Sequence, residues 1–167
     1  PPAYYLALHF WGQAAGSGEF ALRYLSVLAG LVLVAAGGYL CRRAAGQVGL
    51  MLGLGLLGAA PPLVYYAREA RMFAPAAALA ALSTALLLRP PGRWGWAAWT
   101  GLTVVGLFTF YYYIFVLMGQ AALVLTARRR PWGWLGTVGL ALIPWASGLI
   151  PKVLGWGAPF ALPPDPL

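Results

Sequence analysis

Asparagine is absent from this 167-residue chain, cysteine and histidine each occur once, and only three residues are acidic. Each shortage closes a class of function. Without Asn there is no N-glycosylation sequon. With Cys41 alone there is no disulfide framework and no cysteine-based metal site. The single His9 has no carboxylate near it in sequence, and a metal site needs several converging ligands, so His9 reads as a packed interfacial residue. Charged residues make up 8% of the chain and hydrophobic ones 62%, which leaves too little polar surface for a soluble domain of this length. No charge falls near the middle of any long apolar run. That argues against an ion-coupled transporter, which carries charge at mid-depth.

What is present is a series of apolar runs separated by short arginine clusters. The expectation is an all-α, polytopic membrane bundle of about six transmembrane helices with an N-terminal interfacial helix. The net charge of +8 would suit nucleic acid, but arginines lodged between apolar runs serve membrane topology, so no nucleic-acid partner is expected. The aromatic content of 14% fits interfacial belts. Proline-rich sequence at both ends, Pro1-Pro2 and Pro163-Pro164-Asp165-Pro166-Leu167, reads as loop, and the chain reads as a piece of a longer membrane protein.

Residues 3–15 are apolar and aromatic but shorter than the ~20 residues a span needs, which predicts an interfacial helix. Ser17 can cap the next helix, with Glu19 in its first turn and paired to Arg23 four residues on. Spans follow at 24–41, 47–66 and 72–88. Residues 94–127 suffice for two short spans, 94–110 and 112–127, with a turn near Thr109–Tyr113. A last span covers 132–150. Charge tests this layout. Arg42, Arg43, Arg89, Arg93, Arg128, Arg129 and Arg130 fall on one side, with no acid among them. Arg23, Arg68, Arg71 and Lys152 fall on the other, with Glu19, Glu69 and Asp165. Excess Lys and Arg marks the cytoplasmic face, which turns residues 65–71 outward.

Gly53-Leu54-Gly55-Leu56-Leu57-Gly58 matches a dinucleotide fingerprint, but that motif needs a strand before it and lies here inside a span. Gly49 and Gly53 also form a GxxxG pair that permits close helix contact. Ser83, Thr84, Thr109 and Gln120 lie in or near spans and read most simply as interhelical hydrogen-bond partners.

The stretch Tyr65-Tyr66-Ala67-Arg68-Glu69-Ala70-Arg71-Met72-Phe73 organises the chain. A charge at the bilayer centre costs roughly 2.5–3.5 kcal/mol, so this cluster belongs at a membrane surface or a watery cleft. On a regular helix at about 100° per residue, Arg68 and Arg71 fall about 60° apart and form one ridge, with Glu69 on another face. Pro75 lacks the N–H that would bond the Arg71 carbonyl, which predicts a bend. Two arginines at a cleft mouth suit a phosphate. They suit equally well pairing with Glu69, with Glu19 or with lipid headgroups, and the residues alone leave both readings open.

Pro1-Pro2-Ala3-Tyr4-Tyr5-Leu6, the run Gly18 to Gly30 (GEFALRYLSVLAG), and Tyr65 to Phe73 resemble bacterial glycosyltransferases of the dolichyl-phosphate-mannose-protein mannosyltransferase type. These are glycosyltransferase family 39 of the GT-C superfamily, related to the lipid A aminoarabinose transferases. The resemblance implies a multi-pass enzyme of the bacterial cytoplasmic membrane. It would move a sugar from a polyprenyl-phosphate donor to a glycan, lipid or protein acceptor on the outer side. In that family the catalytic aspartate lies on an outer loop before the Pro-Pro, which places the general base upstream of Pro1 and leaves the catalytic residue unknown. Tyr66, Arg68, Glu69 and Arg71 become the candidate substrate-binding residues, with Arg71, helped by Arg68, on the donor phosphate. Phe110-Tyr111-Tyr112-Tyr113 stands where Thr-His-Tyr is commoner. No cofactor is implied with certainty, and a divalent metal is left open. The rivals are a transporter or flippase of lipid-linked sugars and a non-catalytic membrane scaffold.

Overall fold

The computed structural model describes residues 2–88 and 92–126, with further helical positions between 132 and 147. Every regular element in it is helical: α1 (Pro2–Ala15), α2 (Glu19–Ala59), α3 (Pro61–Arg68), α4 (Phe73–Leu88), α5 (Arg93–Thr109) and α6 (Tyr113–Thr126). The predicted span 132–150 lies in part outside the described residues, and the clusters at 89–91 and 127–131 lie wholly outside them.

Helix α2 folds back on itself. Ala45 (φ −136°, ψ 24°) and Gly46 (φ 65°) leave helical geometry, and a positive φ is one that glycine adopts without steric cost. The two limbs, 19–44 and 47–59, then run side by side. Gly38 faces Leu50 and Leu54, and Gly37 faces Leu57. The expected GxxxG contact is here: a Cβ at Gly49 would meet the Cys41 carbonyl, and one at Gly53 would meet the Cys41 side chain. The turn at Ala45–Gly46 falls between the predicted segments 24–41 and 47–66.

The second predicted span is not continuous, however. Ala60 is extended (φ −65°, ψ 115°), and Pro61 and Pro62 open α3 as a new helix. A residue before proline is pushed out of the α region, and two prolines cannot return N–H bonds to the preceding turn. They sit without penalty in a first turn, where those donors are spare. Val64 N–H instead bonds the Ala60 carbonyl at 3.1 Å. Helix α3 still follows the hairpin line, since Ala67 Cβ lies against Gly30 on the first limb.

By length and composition, α2 is long and apolar enough to cross a membrane, and α3 with α4, bent by 118°, pass that test together. α5 and α6 have 17 and 14 residues, shorter than the ~20 of a full span. Their bounds fall within one residue of 94–110 and 112–127, and the turn lies at Phe110–Tyr112 as expected. The Phe110 N–H closes α5 on the Gly106 carbonyl at 2.9 Å.

α4 packs on α2 and α5, and α6 closes against α4 and α5. The core there joins Leu87, Trp99, Leu107, Tyr113, Leu117 and Val124. Gly106 lets the Tyr113 ring lie directly on α5. A polar cluster crosses this core. Gln120 Nε2 donates to Ser83 Oγ (2.8 Å) and Thr84 Oγ1 (3.0 Å), and its Oε1 accepts from Trp99 Nε1 (3.0 Å). Ser83 Oγ also meets the Tyr113 hydroxyl at 2.9 Å and the Ala80 carbonyl at 3.1 Å. If Ser83 donates to Ala80, its oxygen accepts from both Gln120 and Tyr113, and its capacity is filled. Ser83, Thr84 and Gln120 are thus the interhelical partners expected of them.

Candidate functional site at the charged end of the bundle

The helix order alternates direction, so the Ala45–Gly46 turn and Arg93 lie at one end. The α1–α2 connection, the α3–α4 turn and the Phe110–Tyr112 turn lie at the other. Rings tie the second group together: Tyr66 to Phe73 at 4.7 Å, Phe73 to Phe110 at 5.4 Å, and Phe110 to Tyr112 at 5.4 Å between centroids. Every acidic side chain among the described residues, Glu19 and Glu69, belongs to this end.

The α1–α2 corner holds its geometry through Trp11, whose indole N–H donates to the Ala21 carbonyl at 2.7 Å. Glu19 and Arg23 pair across one turn, as expected. Ser17 does not cap α2. Gly18 takes the N-cap position in extended geometry and makes no side-chain cap bond, because the chain must turn from α1 before the helix starts. His9 bonds Gln13 at 3.0 Å on the exposed face of α1. No cluster of His, Cys, Asp and Glu suited to a metal exists among the described residues.

The organising stretch is not a regular helix. α3 stops at Arg68, Glu69 is extended (φ −97°, ψ 140°), and the Arg71 N–H turns back to the Glu69 carbonyl at 2.8 Å. Pro75 sits in the first turn of α4, where it needs no donor, so the bend expected there falls instead at the α3–α4 break, one turn earlier, as a turn of 118°. The projected ridge of Arg68 and Arg71 is therefore absent. Arg71 Nε instead lies 3.1 Å from Glu69 Oε2, and Glu69 does not face away. The contact is an ion pair without hydrogen-bond alignment, and Glu69 Oε2 is buried in it; the neighbouring Tyr65 phenol is pushed up by its hydrogen bond to the Glu69 carboxylate. The Arg71 side chain is 63% exposed and lines none of the cavities described below.

Arg68 is placed differently. Sitting in the last turn of α3, it complements the carbonyl end of that helix. It is exposed, and none of its contacts among the described residues is a salt bridge to a carboxylate. Two cavities meet at it. One, of about 470 Å³, is an apolar groove between the first limb of α2, α3 and α4, lined by Val27, Leu31, Val34, Leu57, Leu63 and Ala77 with Tyr66 and Arg68. The other, of about 550 Å³, is polar at its rim and is lined by Arg23, Tyr65, Arg68 and Glu69 over Pro61 and Val64. Of the sequence-derived candidates, the structure thus brings Arg68 and Glu69 to one cavity and Tyr66 and Arg68 to the other. It adds Arg23, which the i,i+4 pairing with Glu19 had accounted for without a role.

A third cavity, of about 330 Å³, separates α1 from α2, α4 and α5 and is lined by Tyr4, Leu28, Leu79, Val105 and Thr109. The Tyr4 and Ser26 hydroxyls are both buried near it without well-formed hydrogen bonds. Burial raises the Tyr4 phenol above its ordinary range, with the neighbouring Ser26 hydroxyl acting in the other direction.

No protein-family model, curated protein or solved structure matches this chain.

Proposed function

We propose that this chain is part of a membrane glycosyltransferase that moves a sugar from a polyprenyl-phosphate donor to an acceptor on the outer side of a bacterial cytoplasmic membrane. The observation that carries the reading is the meeting of an apolar groove and a cationic pocket at Arg68. An amphiphile with a long apolar tail and a phosphate head needs both surfaces side by side. The resemblance of GEFALR and EARM to the GT-C mannosyltransferases supplies the reaction class. Membrane lipids are the surrounding partner, and the arginines at the hairpin end set the orientation.

Phosphoryl leaving groups are stabilised by cations placed where charge develops, and arginine offers a planar fork for that task. Glu69 also lines the polar cavity, and a carboxylate there suits a sugar or acceptor hydroxyl. No residue of this chain is assigned as the general base.

The test is direct. The full-length protein, purified and reconstituted, is given a radiolabelled polyprenyl-phosphate sugar and acceptors of glycan, lipid and peptide type. Transfer of label with release of polyprenyl phosphate supports the enzyme. Movement of the intact donor across the bilayer without transfer supports a flippase instead. Neither activity leaves a scaffold.

A further inference from the structure

We infer that α3 is a movable partition between the apolar groove and the polar cavity, hinged at Ala60 and held shut by a clasp in which the Glu69 carboxylate joins Tyr65 of α3 to Arg71 of the following turn. The inference goes beyond the proposed function. It concerns a motion of the chain and stands whichever molecule occupies either cavity.

Three observations carry it. The first is the thinness of the wall. Leu63, Tyr66 and Ala67 line the groove, Pro61 and Tyr65 line the polar cavity, and Val64 and Arg68, about one helical turn apart, line both. One edge of a short helix therefore separates about 470 Å³ from about 550 Å³.

The second is how lightly that helix is held. α3 has eight residues and no buried side chain, and so short a helix is not stable without outside contacts. Extended residues flank it, Ala60 before and Glu69 after. Residues at the end of an element are where a hinge absorbs its change of φ and ψ, and elements with few buried contacts open most readily.

The third is the position of its fastenings. At the Ala60 end, the Leu63 and Val64 N–H groups bond the Ala60 carbonyl, and these bonds travel with the helix. The side-chain contacts gather at the other end. The Tyr66 ring meets Phe73, Ala67 lies against Gly30, and Glu69 is ion-paired with Arg71. The Tyr65 hydroxyl donates to the same carboxylate. Tyr65 belongs to α3 and Arg71 to the turn that leads into α4, so Glu69 between them fixes the 118° bend of the two helices. With the clasp undone, α3 pivots at Ala60 and the two cavities become one passage from apolar to polar surroundings. A helix of this length is about 12 Å long, so a swing of about 30° carries its far end about 6 Å.

The experiment uses the full chain in lipid nanodiscs, in a Cys41→Ser background, with spin labels at Ser17→Cys and Arg68→Cys, both exposed. Pulsed EPR reads the distance between them. Glu69→Ala undoes both contacts of the clasp and is expected to raise the population of a second distance at least about threefold, the scale of one modest polar interaction. Tyr65→Phe and Arg71→Ala each remove one contact and raise it by less. Glu19→Ala, which breaks the ion pair with Arg23 at the same end, leaves it unchanged. A second label pair, at Ser17 and Ala44, frames the first limb of α2 and should keep its distance throughout, which separates motion of α3 from unfolding. If Glu69→Ala disturbs that second pair, Tyr65→Phe decides alone, since the Tyr65 side chain is exposed. A Ser17–Arg68 distribution unmoved by Glu69→Ala and by Tyr65→Phe overturns the partition. So does a Glu19→Ala variant that opens α3 as far as Glu69→Ala does. Sugar transfer plays no part in the readout, so either result leaves the proposed function to its own test.

Discussion

The Gln120 side chain and the Trp99 indole meet at 3.0 Å inside the α4–α5–α6 core. The carboxamide also reaches Ser83 and Thr84, so one residue of α6 satisfies donors and acceptors on two other helices. Gln120→Leu keeps the volume but strands the Trp99 N–H and removes a donor from each hydroxyl. Stranding a buried polar group costs about 1–3 kcal/mol, and interhelical bonds within membranes average nearer ~0.6 kcal/mol each. The expected outcome is a loss of about 1–3 kcal/mol, read as a lowered Tm in detergent. A Tm equal to the parent's would mean that the cluster contributes no net stability.

Gly106 is a second test of the same core. Alanine there improves helix propensity by up to about 1 kcal/mol, but its methyl would overlap the Tyr113 ring. Because the ring is held by Ser83 on one side and α5 on the other, it has little room to yield. Overpacking of this kind costs about 1–3 kcal/mol. Gly106→Ala should destabilise, and Gly106→Ala with Tyr113→Leu should recover much of the loss. Additive effects in that double-mutant cycle would show that the two positions do not touch.

Orientation is checked with an impermeant maleimide on intact cells, in a Cys41→Ser background. The parent Cys41 is a poor reporter, since its sulfur packs against Gly53 and would label weakly on either side. Ala44→Cys and Ser17→Cys are both exposed, at opposite ends of the first limb of α2. Ser17→Cys should label from outside and Ala44→Cys should not. The opposite pattern would reverse the charge-based topology.

The proline pair gives a further prediction. Replacing Pro61 and Pro62 by alanine restores two N–H donors to the turn at Ala60, so the second limb and α3 should join into one helix. Pulsed EPR between spin labels at Ser17 and Tyr65 should then report a changed distance, and polyprenyl phosphate binding should fall as Arg68 swings from the groove. An unchanged distance would mean that packing, not proline, sets the break.

Much of the bundle was legible because its signals are local. The aromatic turn at 109–113, the Glu19–Arg23 pair, and the polar residues Ser83, Thr84 and Gln120 all follow from spacing and from the cost of a lone polar group among apolar ones. The break at Ala60 was equally local, with Pro61-Pro62 in plain view, yet a run of hydropathy through 47–66 concealed it. The arginine arrangement was not legible. A helical wheel presupposes a helix, and the one through Tyr65–Phe73 ends at Arg68 because the chain must reverse to lay α4 on α2. Arg23 entered the site for a reason no sequence window contains: forty-odd residues separate it from Arg68, and only the hairpin of α2 brings them to one cavity.

The break at Ala60 has a mechanical side. A helix that continued from the second limb would inherit its depth and rotation from the packing of residues 47–59. α3 inherits neither, since a single extended residue joins it to the limb. Its seating is set by the contact of Ala67 with Gly30, where a Cβ would stand 3.0 Å from the Ala67 methyl. Gly30 therefore acts as the seat of a lever whose free end is Arg68, one residue further on. A methyl added at Gly30 touches no charge and lines no polar surface, yet Ala67 would have to give by a few tenths of an ångström to admit it, and the shift would pass to Arg68 beside it.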